Sequence, residues 1–173
     1  TGWLPVLVAI GANAPVWRGV ESGFESWRSI HYRRWMTNGV PPHFQDLHDY
    51  DSRVAMLTAF DAVESPASLS WLARLSHRHD TLEIRACDVQ LEAQDSVAIA
   101  VLTRALANYA LETPPAVAFT QEYLDIALWQ SARWGLSGRL LDPVTATLVP
   151  AEELVSTLLE RVSGHYTSQE DRR

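Results

Sequence analysis

The sequence contains no lysine, and all 14 of its basic residues are arginine. Schiff-base chemistry, a lysine general base and a P-loop are therefore excluded, since the Gly-x-x-x-x-Gly-Lys pattern cannot be written without lysine. Cysteine is almost absent as well. Cys87 is the single one, so the chain can form no internal disulfide. Because disulfides are typical of secreted proteins, nothing points to secretion, and we expect a cytoplasmic protein.

Positive charge and long hydrophobic runs are also scarce. The 14 arginines are outnumbered by 21 acidic residues, and the net charge is −7. This balance argues against nucleic acid or an anionic membrane as the main partner, and no segment reaches the roughly 20 apolar residues of a membrane helix. The 173 residues are 47% hydrophobic and 20% charged, which is typical of one folded domain. We place that domain at residues 1–163 and expect the polar tail, 164–173, to be disordered.

Hydrophobic periodicity and chain breakers predict a helix-rich α+β protein with few antiparallel strands. The apolar segment 3–10 fits either a helix or a strand, and the glycine-rich segments 11–23 and 39–42 are typical of loops. We expect Asp95 to cap a helix that is apolar nearly all round and central to the core. The predicted helices are 45–63, 95–111 (ended by Pro114 and Pro115), 121–134 and 151–162, and the clearest strand is 81–88.

The predicted strand carries two charged residues on one face. Glu83 and Arg85 lie two positions apart, so their side chains point the same way and their Cα atoms are about 6.5–7 Å apart. A carboxylate can ligate a hard divalent cation, and a guanidinium beside it can bind phosphate or carboxylate oxygens through two hydrogen bonds. Such a pair suits phosphoryl transfer. The same spacing also fits a plain ion pair, cross-strand or neighbouring, on a solvated sheet face, and the spacing by itself favours that alternative.

The glycine-rich segment 11–19 and the residues after it form a second candidate site. Glycines let the backbone approach a ligand, Asn13 offers an amide, and Arg28 offers a planar cation. The alternative is a turn-rich connector whose aromatic residues fill the core, and the pattern alone favours this alternative.

Histidine and cysteine offer two further candidates. His77 and His79 with Asp80 suggest part of a metal site, but a third ligand at a defined spacing is missing, so ordinary loop histidines are favoured. Cys87 lies on the same predicted strand face as Glu83. No neighbouring residue supplies a base, and a small buried thiol is favoured over a nucleophile.

Six short motifs follow one another along the chain. They are Ala12-Asn13-Ala14-Pro15-Val16-Trp17 with Gly19; Gly23-Phe24-Glu25-Ser26-Trp27-Arg28; Gly39-Val40-Pro41-Pro42-His43-Phe44; Trp71-Leu72-Ala73-Arg74-Leu75-Ser76; Thr81, Glu83, Arg85, Cys87 and Asp88; and Ala132-Arg133-Trp134-Gly135-Leu136 with Leu141-Asp142-Pro143. In this order they resemble the bacterial carboxylate–amine ligase family, also called glutamate–cysteine ligase type 2. The matches run over nearly the whole chain.

The resemblance implies the C-terminal half of a glutamine-synthetase-like fold and the ATP-dependent joining of a carboxylate to an amine through an acyl phosphate. It implies ATP and Mg²⁺ as cofactors, and small-molecule substrates: glutamate, with cysteine or another amine. In that family picture Glu83 ligates Mg²⁺, and Arg85 neutralises phosphate charge. Arg28 holds a phosphate or a substrate carboxylate as a second catalytic residue, and Asn13 lines the substrate pocket. An intact relative is expected to be a homo-oligomer.

The chain departs from the family at Ala14, Val16 and Leu72, where the family has serine, phenylalanine and aspartate. The family's N-terminal strands with their acidic cluster, and its His-x-His segment, have no counterpart, and Glu83 alone cannot hold the metals that such chemistry needs. With a start at Thr1 rather than at methionine, this predicts an incomplete ligase: a fragment, a split gene product or a degenerate copy. The alternatives are a catalytically inert fragment or interaction module that pairs with a complementary N-terminal chain, and an unrelated helix-rich binding protein.

Overall fold

The structure is a computed structural model that describes residues 1–113 and 117–167. Within these residues there are six α-helices and three two-stranded antiparallel sheets, and the predicted α+β class is confirmed. No helix in this part of the chain is long and apolar enough to cross a lipid bilayer. Pro114 and Pro115, expected to end a helix, and positions 168–173 of the expected tail lie outside the described residues. The helices are α1 (Leu4–Ile10), α2 (Trp27–His31), α3 (Leu47–Ala59), α4 (Ala93–Glu112), α5 (Gln121–Trp134) and α6 (Ala151–Val162), and the strands are β1 (Val16–Trp17), β2 (Val20–Glu21), β3 (Ala73–Leu75), β4 (Leu82–Ile84), β5 (Arg139–Leu141) and β6 (Leu148–Pro150).

Helix α1 lies at the centre of the main core. The segment that fits either helix or strand is a helix, and a proline in its first turn agrees with this because proline needs no hydrogen-bond donor there. Residues 4–9 are all buried. A short helix that is apolar all round can be stable only when other elements cover it, and α5 and β5 pack against it. Helices α5 and α6 have the predicted bounds.

Helix α4 corrects two predictions. It begins at Ala93, so Asp95 lies in its first turn, and the cap position is Glu92. The helix is also not central to the core: its buried residues are Leu102, Ala105 and Leu106, whereas Val97 is 62% exposed. The apolar run predicts burial only if a neighbour covers each face, and in the described part of the chain α6 is the element that packs most extensively against α4.

Helix α3 covers a second, smaller hydrophobic cluster. It is shorter than the predicted 45–63, because Asp46 caps its N-terminus, accepting a hydrogen bond from the Asp49 N–H at 2.8 Å, and it ends at Ala59. Beneath it, the rings of Trp71 and Phe44 pack at a tilt of 58°, with their centroids 5.5 Å apart. The remaining members of this cluster are Val54, Val63, Leu69, Tyr50 and Leu57.

The strands are short, and two expectations about them need correction. The predicted loop 11–23 contains the hairpin β1–β2, whose turn residues Arg18 and Gly19 both have positive φ. The predicted strand 81–88 is reduced to β4, which pairs with β3 so that Arg74 lies opposite Glu83. After β4 the chain stays extended alongside its neighbour, since the Arg85 N–H donates to the Leu72 carbonyl at 2.8 Å.

Candidate active site

The charged face of β4 is a three-residue cluster of arginine, glutamate and arginine. Arg74 Nε donates to Glu83 Oε2 at 3.0 Å, and Arg74 Nη2 lies 3.2 Å from Oε1. Arg85 Nη1 donates to the same Oε1 at 3.3 Å. The cross-strand and neighbouring ion pairs that sequence spacing favoured are therefore both present. They are not fully solvated, however, because only 10% of the Arg74 side chain is exposed.

Arg74 owes its burial to bonds on its other side. Its Nη1 donates to the carbonyls of Ala67 and Leu69, at 2.6 and 2.7 Å. A buried guanidinium is stable only when its donors and its charge are satisfied, and here two carbonyls and one carboxylate do so. The sequence places Arg74 in a motif but indicates no role for it, because only the strand register shows that Arg74 lies opposite Glu83.

Arg85 is the predicted residue that faces open space. Its side chain is 35% exposed and lines a cavity of about 660 Å³, a size typical of small-molecule sites. Arg34 brings a second guanidinium to the same cavity, and Glu64 brings a carboxylate. The other lining residues are Tyr32, Trp35, Met36, Thr37, Ala62, Val63, Ser68 and Ser70. Such a cavity can hold an anion of moderate size, with hydroxyl groups near it.

Arg34 was missed by sequence reasoning. It lies in a 3₁₀ turn, Tyr32–Arg34, and its guanidinium lies 5.1 Å from the centre of the Trp35 ring. The only signal in the sequence was the run Tyr32-Arg33-Arg34-Trp35, in which two adjacent cations lie between two aromatic residues.

Arg28 lies behind Arg85 and is not among the cavity walls. Its Nη2 donates to the Arg85 carbonyl at 2.9 Å, and its Nη1 lies 3.5 Å from the Ala86 carbonyl. Its guanidinium also lies 4.9 Å from the centre of the Tyr32 ring, which does line the cavity. Arg28 therefore holds the main chain that carries Arg85 and one aromatic wall of the cavity.

Asp88 joins the two predicted segments. Its side chain is 2% exposed and faces Arg28 Nη1 at 3.7 Å. It accepts hydrogen bonds from the Asn13 main-chain N–H at 2.9 Å and from Ser26 Oγ at 3.0 Å. The side chain of Asn13 is occupied too, because its Nδ2 donates to the Val89 carbonyl at 2.9 Å. The Asp88 carboxylate thus holds Asn13 and Arg28 against the segment that follows β4. In the sequence, Asp88 was recognised only as part of a motif.

The residues predicted as metal ligands do not make a metal site by themselves. In the described ranges no group of three His, Cys, Asp or Glu side chains could hold a metal ion, and His77, His79 and Asp80 are no exception. Mg²⁺ needs near-octahedral oxygen ligands, usually with more than one protein or phosphate group. Both Glu83 oxygens are already bonded to guanidinium groups. The described residues therefore do not fit Mg²⁺ unless further carboxylates are supplied.

Cys87 is held as a thiol. Burial raises its pKa to about 11, and the nearby Asp88 carboxylate acts in the same direction. The Sγ donates to the Leu7 carbonyl at 3.3 Å. The preference for an inert thiol over a nucleophile agrees with this environment, because the thiolate is the reactive form.

The fold and the site together define an α+β protein with a cavity lined by two arginines beside the β3–β4 sheet. The family described as Glutamate-cysteine ligase family 2 (GCS2) matches residues 1–173. The chain belongs to this family, and the resemblance seen in its motifs is confirmed.

Three curated relatives give the extent of the match. A Nocardia farcinica protein named "Putative glutamate--cysteine ligase 2-1" is 38% identical over 164 residues, which are 92% of this chain and 43% of that protein. A Rhodopirellula baltica protein named "Putative glutamate--cysteine ligase 2" is 36% identical over 92% of this chain and 44% of its own length. A Streptomyces avermitilis protein named "Putative glutamate--cysteine ligase 2-1" is 41% identical over 92% of this chain and 45% of its own length. The chain thus spans less than half the length of the curated relatives it matches.

Proposed function

We propose that this chain forms part of the active site of an ATP-dependent carboxylate–amine ligase with a glutamine-synthetase-like fold. Membership in glutamate–cysteine ligase family 2 supports the reaction class. The observation on which the proposal rests most is the cavity of about 660 Å³ faced by Arg85 and Arg34. Residues 1–163 would form one ligase domain in a cytoplasmic protein, completed by further polypeptide as a homo-oligomer or with a complementary N-terminal chain.

The proposed reaction has two steps. The substrate carboxylate, γ in glutamate, attacks the terminal phosphorus of ATP, so that a C–O–P bond forms and ADP leaves. The nitrogen of cysteine or another amine then attacks the acyl carbon, an amide bond forms, phosphate leaves with the C–O bond electrons, and the amine gives up a proton. Both steps move negative charge onto phosphate oxygens, and fixed cations lower the barrier to such steps.

Each predicted residue has a proposed part in this chemistry. Arg85 would bind the phosphate oxygens directly, since its side chain faces the cavity. Arg28 is better placed to act through Arg85, because it holds the Arg85 carbonyl. Asn13 would position the same segment through Val89. Glu83 stays a proposed magnesium ligand that needs carboxylates from outside the described residues.

The test is binding of an anionic probe to the 173-residue chain by isothermal titration calorimetry. Tripolyphosphate is the probe, since it presents the charge of a nucleotide's phosphates and nothing else. Arg85→Gln should raise the Kd about 10- to 100-fold, because a hydrogen bond to a charged group contributes about 1.5–3 kcal/mol. Arg78→Gln is the matched control: Arg78 is exposed and is not among the cavity walls, so its loss should change the Kd less than about threefold. Equal effects of the two substitutions, or no binding by the unaltered chain, would refute the proposal.

A further inference from the structure

The Glu83 carboxylate is shared unequally between its two arginines. Arg74 contacts both of its oxygens, with Nε 3.0 Å from Oε2 and Nη2 3.2 Å from Oε1. Arg85 makes one longer contact, from Nη1 to Oε1 at 3.3 Å. A guanidinium that bonds a carboxylate at two points forms the stronger pair. The charge of Glu83 is therefore compensated mainly by Arg74.

The unequal sharing decides the charge that the cavity receives. Two guanidinium groups and one carboxylate give these three side chains a net charge of +1. Among the described residues that line the cavity, Arg85 is the one member of the three. A guanidinium carries five N–H donors, and Glu83 accepts from Arg85 through a single contact. Most of the donors of Arg85 thus remain for a ligand.

Arg74 is held in this position from behind. Its Nη1 donates to the carbonyls of Ala67 and Leu69, and only 10% of its side chain is exposed. Because the guanidinium group is rigid and planar, the contacts on one edge fix the direction of the other edge. Turning away from Glu83 would leave a buried charge without a partner. The pair with Glu83 is therefore a fixed part of the structure.

Without Arg74, Glu83 would have a different partner. Arg85 is the other cation within bonding distance of Glu83 among the described residues, and both side chains lie on one face of the sheet. Glu83 could then bond Arg85 at two points, which would cancel its charge and tie it to the strand. Glu64 and Arg34, the other charged groups of the cavity wall, are the same in both situations.

We propose that Arg74 is a positioning residue of the cavity: by holding Glu83, it keeps the Arg85 guanidinium available to an anionic ligand. The anion rests on the proposed function, whereas the availability of Arg85 rests on the contacts alone. A purely structural arginine would be needed whether or not Glu83 is charged. The proposed role instead disappears when the charge of Glu83 is removed, and this difference can be measured.

The first measurement is the affinity for tripolyphosphate by isothermal titration calorimetry, without divalent metal. Arg74→Gln should raise the Kd about 5- to 20-fold, less than the loss of Arg85 itself, because the cation stays but is engaged. Adding Glu83→Gln to this variant should return the Kd to within about threefold of that of the unaltered chain. If the double variant binds as weakly as Arg74→Gln, the inference is wrong.

Arg53→Gln is the matched control. Arg53 forms an ion pair with Asp49 on α3 and is not among the described residues of the cavity wall. The substitution changes the net charge by the same amount, so a general electrostatic effect would appear in both variants. We expect Arg53→Gln to change the Kd less than about threefold. An effect equal to that of Arg74→Gln would contradict the inference.

The second measurement needs no anion. Phenylglyoxal modifies accessible guanidino groups, and mass spectrometry reads the rate at each arginine, with the exposed Arg78 as the internal reference. Arg85 should react about 3- to 5-fold more slowly in Arg74→Gln, and at its original rate once Glu83→Gln is added. An unchanged rate at Arg85 would refute the inference. Failure of the proposed function looks different: no form of the chain binds tripolyphosphate, while the rate at Arg85 still follows the charge of Glu83.

Arg74→Lys carries the test if Arg74→Gln does not fold, which tryptophan fluorescence shows. A lysine ammonium keeps the charge but cannot serve the two carbonyls and both Glu83 oxygens together. The Kd for tripolyphosphate should rise about 2- to 5-fold, and Glu83→Gln should again reverse the change. A Kd that rises and is not reversed would show that Arg74 acts only on the fold.

Discussion

Replacing Asp88 by alanine tests whether the residues behind Arg85 form one structural unit. The carboxylate is 2% exposed and accepts hydrogen bonds from the Asn13 N–H and the Ser26 hydroxyl, both about 3 Å away. Its removal leaves the Asn13 N–H without an acceptor, leaves the Ser26 hydroxyl only the Ser29 Oγ at 2.8 Å, and takes the opposite charge away from Arg28. The substitution therefore damages three elements at once: the segment at Asn13, the N-terminus of α2, and the chain between Arg85 and Asp88.

The size of the effect follows from these partners. Each buried donor that loses its acceptor costs about 1–3 kcal/mol. The Arg28 pair adds less than a fully buried pair, because 26% of that side chain is exposed and its bond to the Arg85 carbonyl remains. We therefore expect Asp88→Ala to lower the free energy of unfolding by about 3 kcal/mol. With a urea m-value of about 2 kcal/mol/M, the midpoint of unfolding falls by about 1.5 M.

Urea titrations followed by tryptophan fluorescence measure this loss directly. Asp95→Ala is the matched control: it removes the same carboxylate from an exposed position in the first turn of α4, where the charge contributes about 0.3–1 kcal/mol. Its midpoint should fall by no more than about 0.5 M. If Asp88→Ala shifts the midpoint no further than Asp95→Ala does, Asp88 does not hold these segments together, and the positioning role of Arg28 fails with it.

Three further predictions concern Cys87 and its close neighbour Gly11. With a pKa of about 11 instead of its ordinary 9.0, Cys87 holds about one hundredth as much thiolate at pH 8. It should therefore react with a disulfide reagent at least about 100-fold more slowly in the folded chain than in urea, and equal rates would contradict the burial. Because the folded state binds this proton more tightly, the stabilisation is complete below about pH 9 and is lost as the pH rises from 9 to 11. Gly11→Ala would place a Cβ 2.4 Å from the Cys87 Cβ, although φ at Gly11 is an ordinary −92°. We expect a loss of about 2 kcal/mol, or about 4–8 °C in Tm, that Cys87→Gly restores only in part, because the Cα of residue 87 would itself lie 2.9 Å from the new Cβ; an unchanged Tm would show that the backbone moves apart freely.

The local sequence pattern was sufficient to predict two of the helices. Helices α5 and α6 could be predicted from hydrophobic spacing and from the glycine and proline that flank them, and both have the expected bounds. The environment of α4 could not be predicted, because burial of its apolar residues depends on neighbours such as α6, which packs against it, and only Leu102, Ala105 and Leu106 are buried. Periodicity reports which face is apolar and says nothing of whether another element reaches it.

The site was predictable in its residue types and not in its contacts. Glu83 and Arg85 were expected to share a face, and they do lie within hydrogen-bond distance. The position of Arg74 opposite Glu83 depends on the β3–β4 register, which no spacing within a single strand can give. In the same way, Arg34 lines the cavity because of the conformation of the 3₁₀ turn Tyr32–Arg34. The hydrogen bonds of Arg28 to the Arg85 carbonyl and of Asp88 to Ser26 join residues about 60 positions apart in the sequence.

The bonds of Arg74 couple two parts of the cavity lining. One edge of its guanidinium holds Glu83, next to Arg85, and the other holds the carbonyls on either side of Ser68, a lining residue. A single planar group thus fixes the position of Glu83, the neighbour of Arg85, relative to the hydroxyl-bearing turn at Ser68. A displacement of Glu83 would therefore also move that turn, so that these two parts of the cavity lining would shift together.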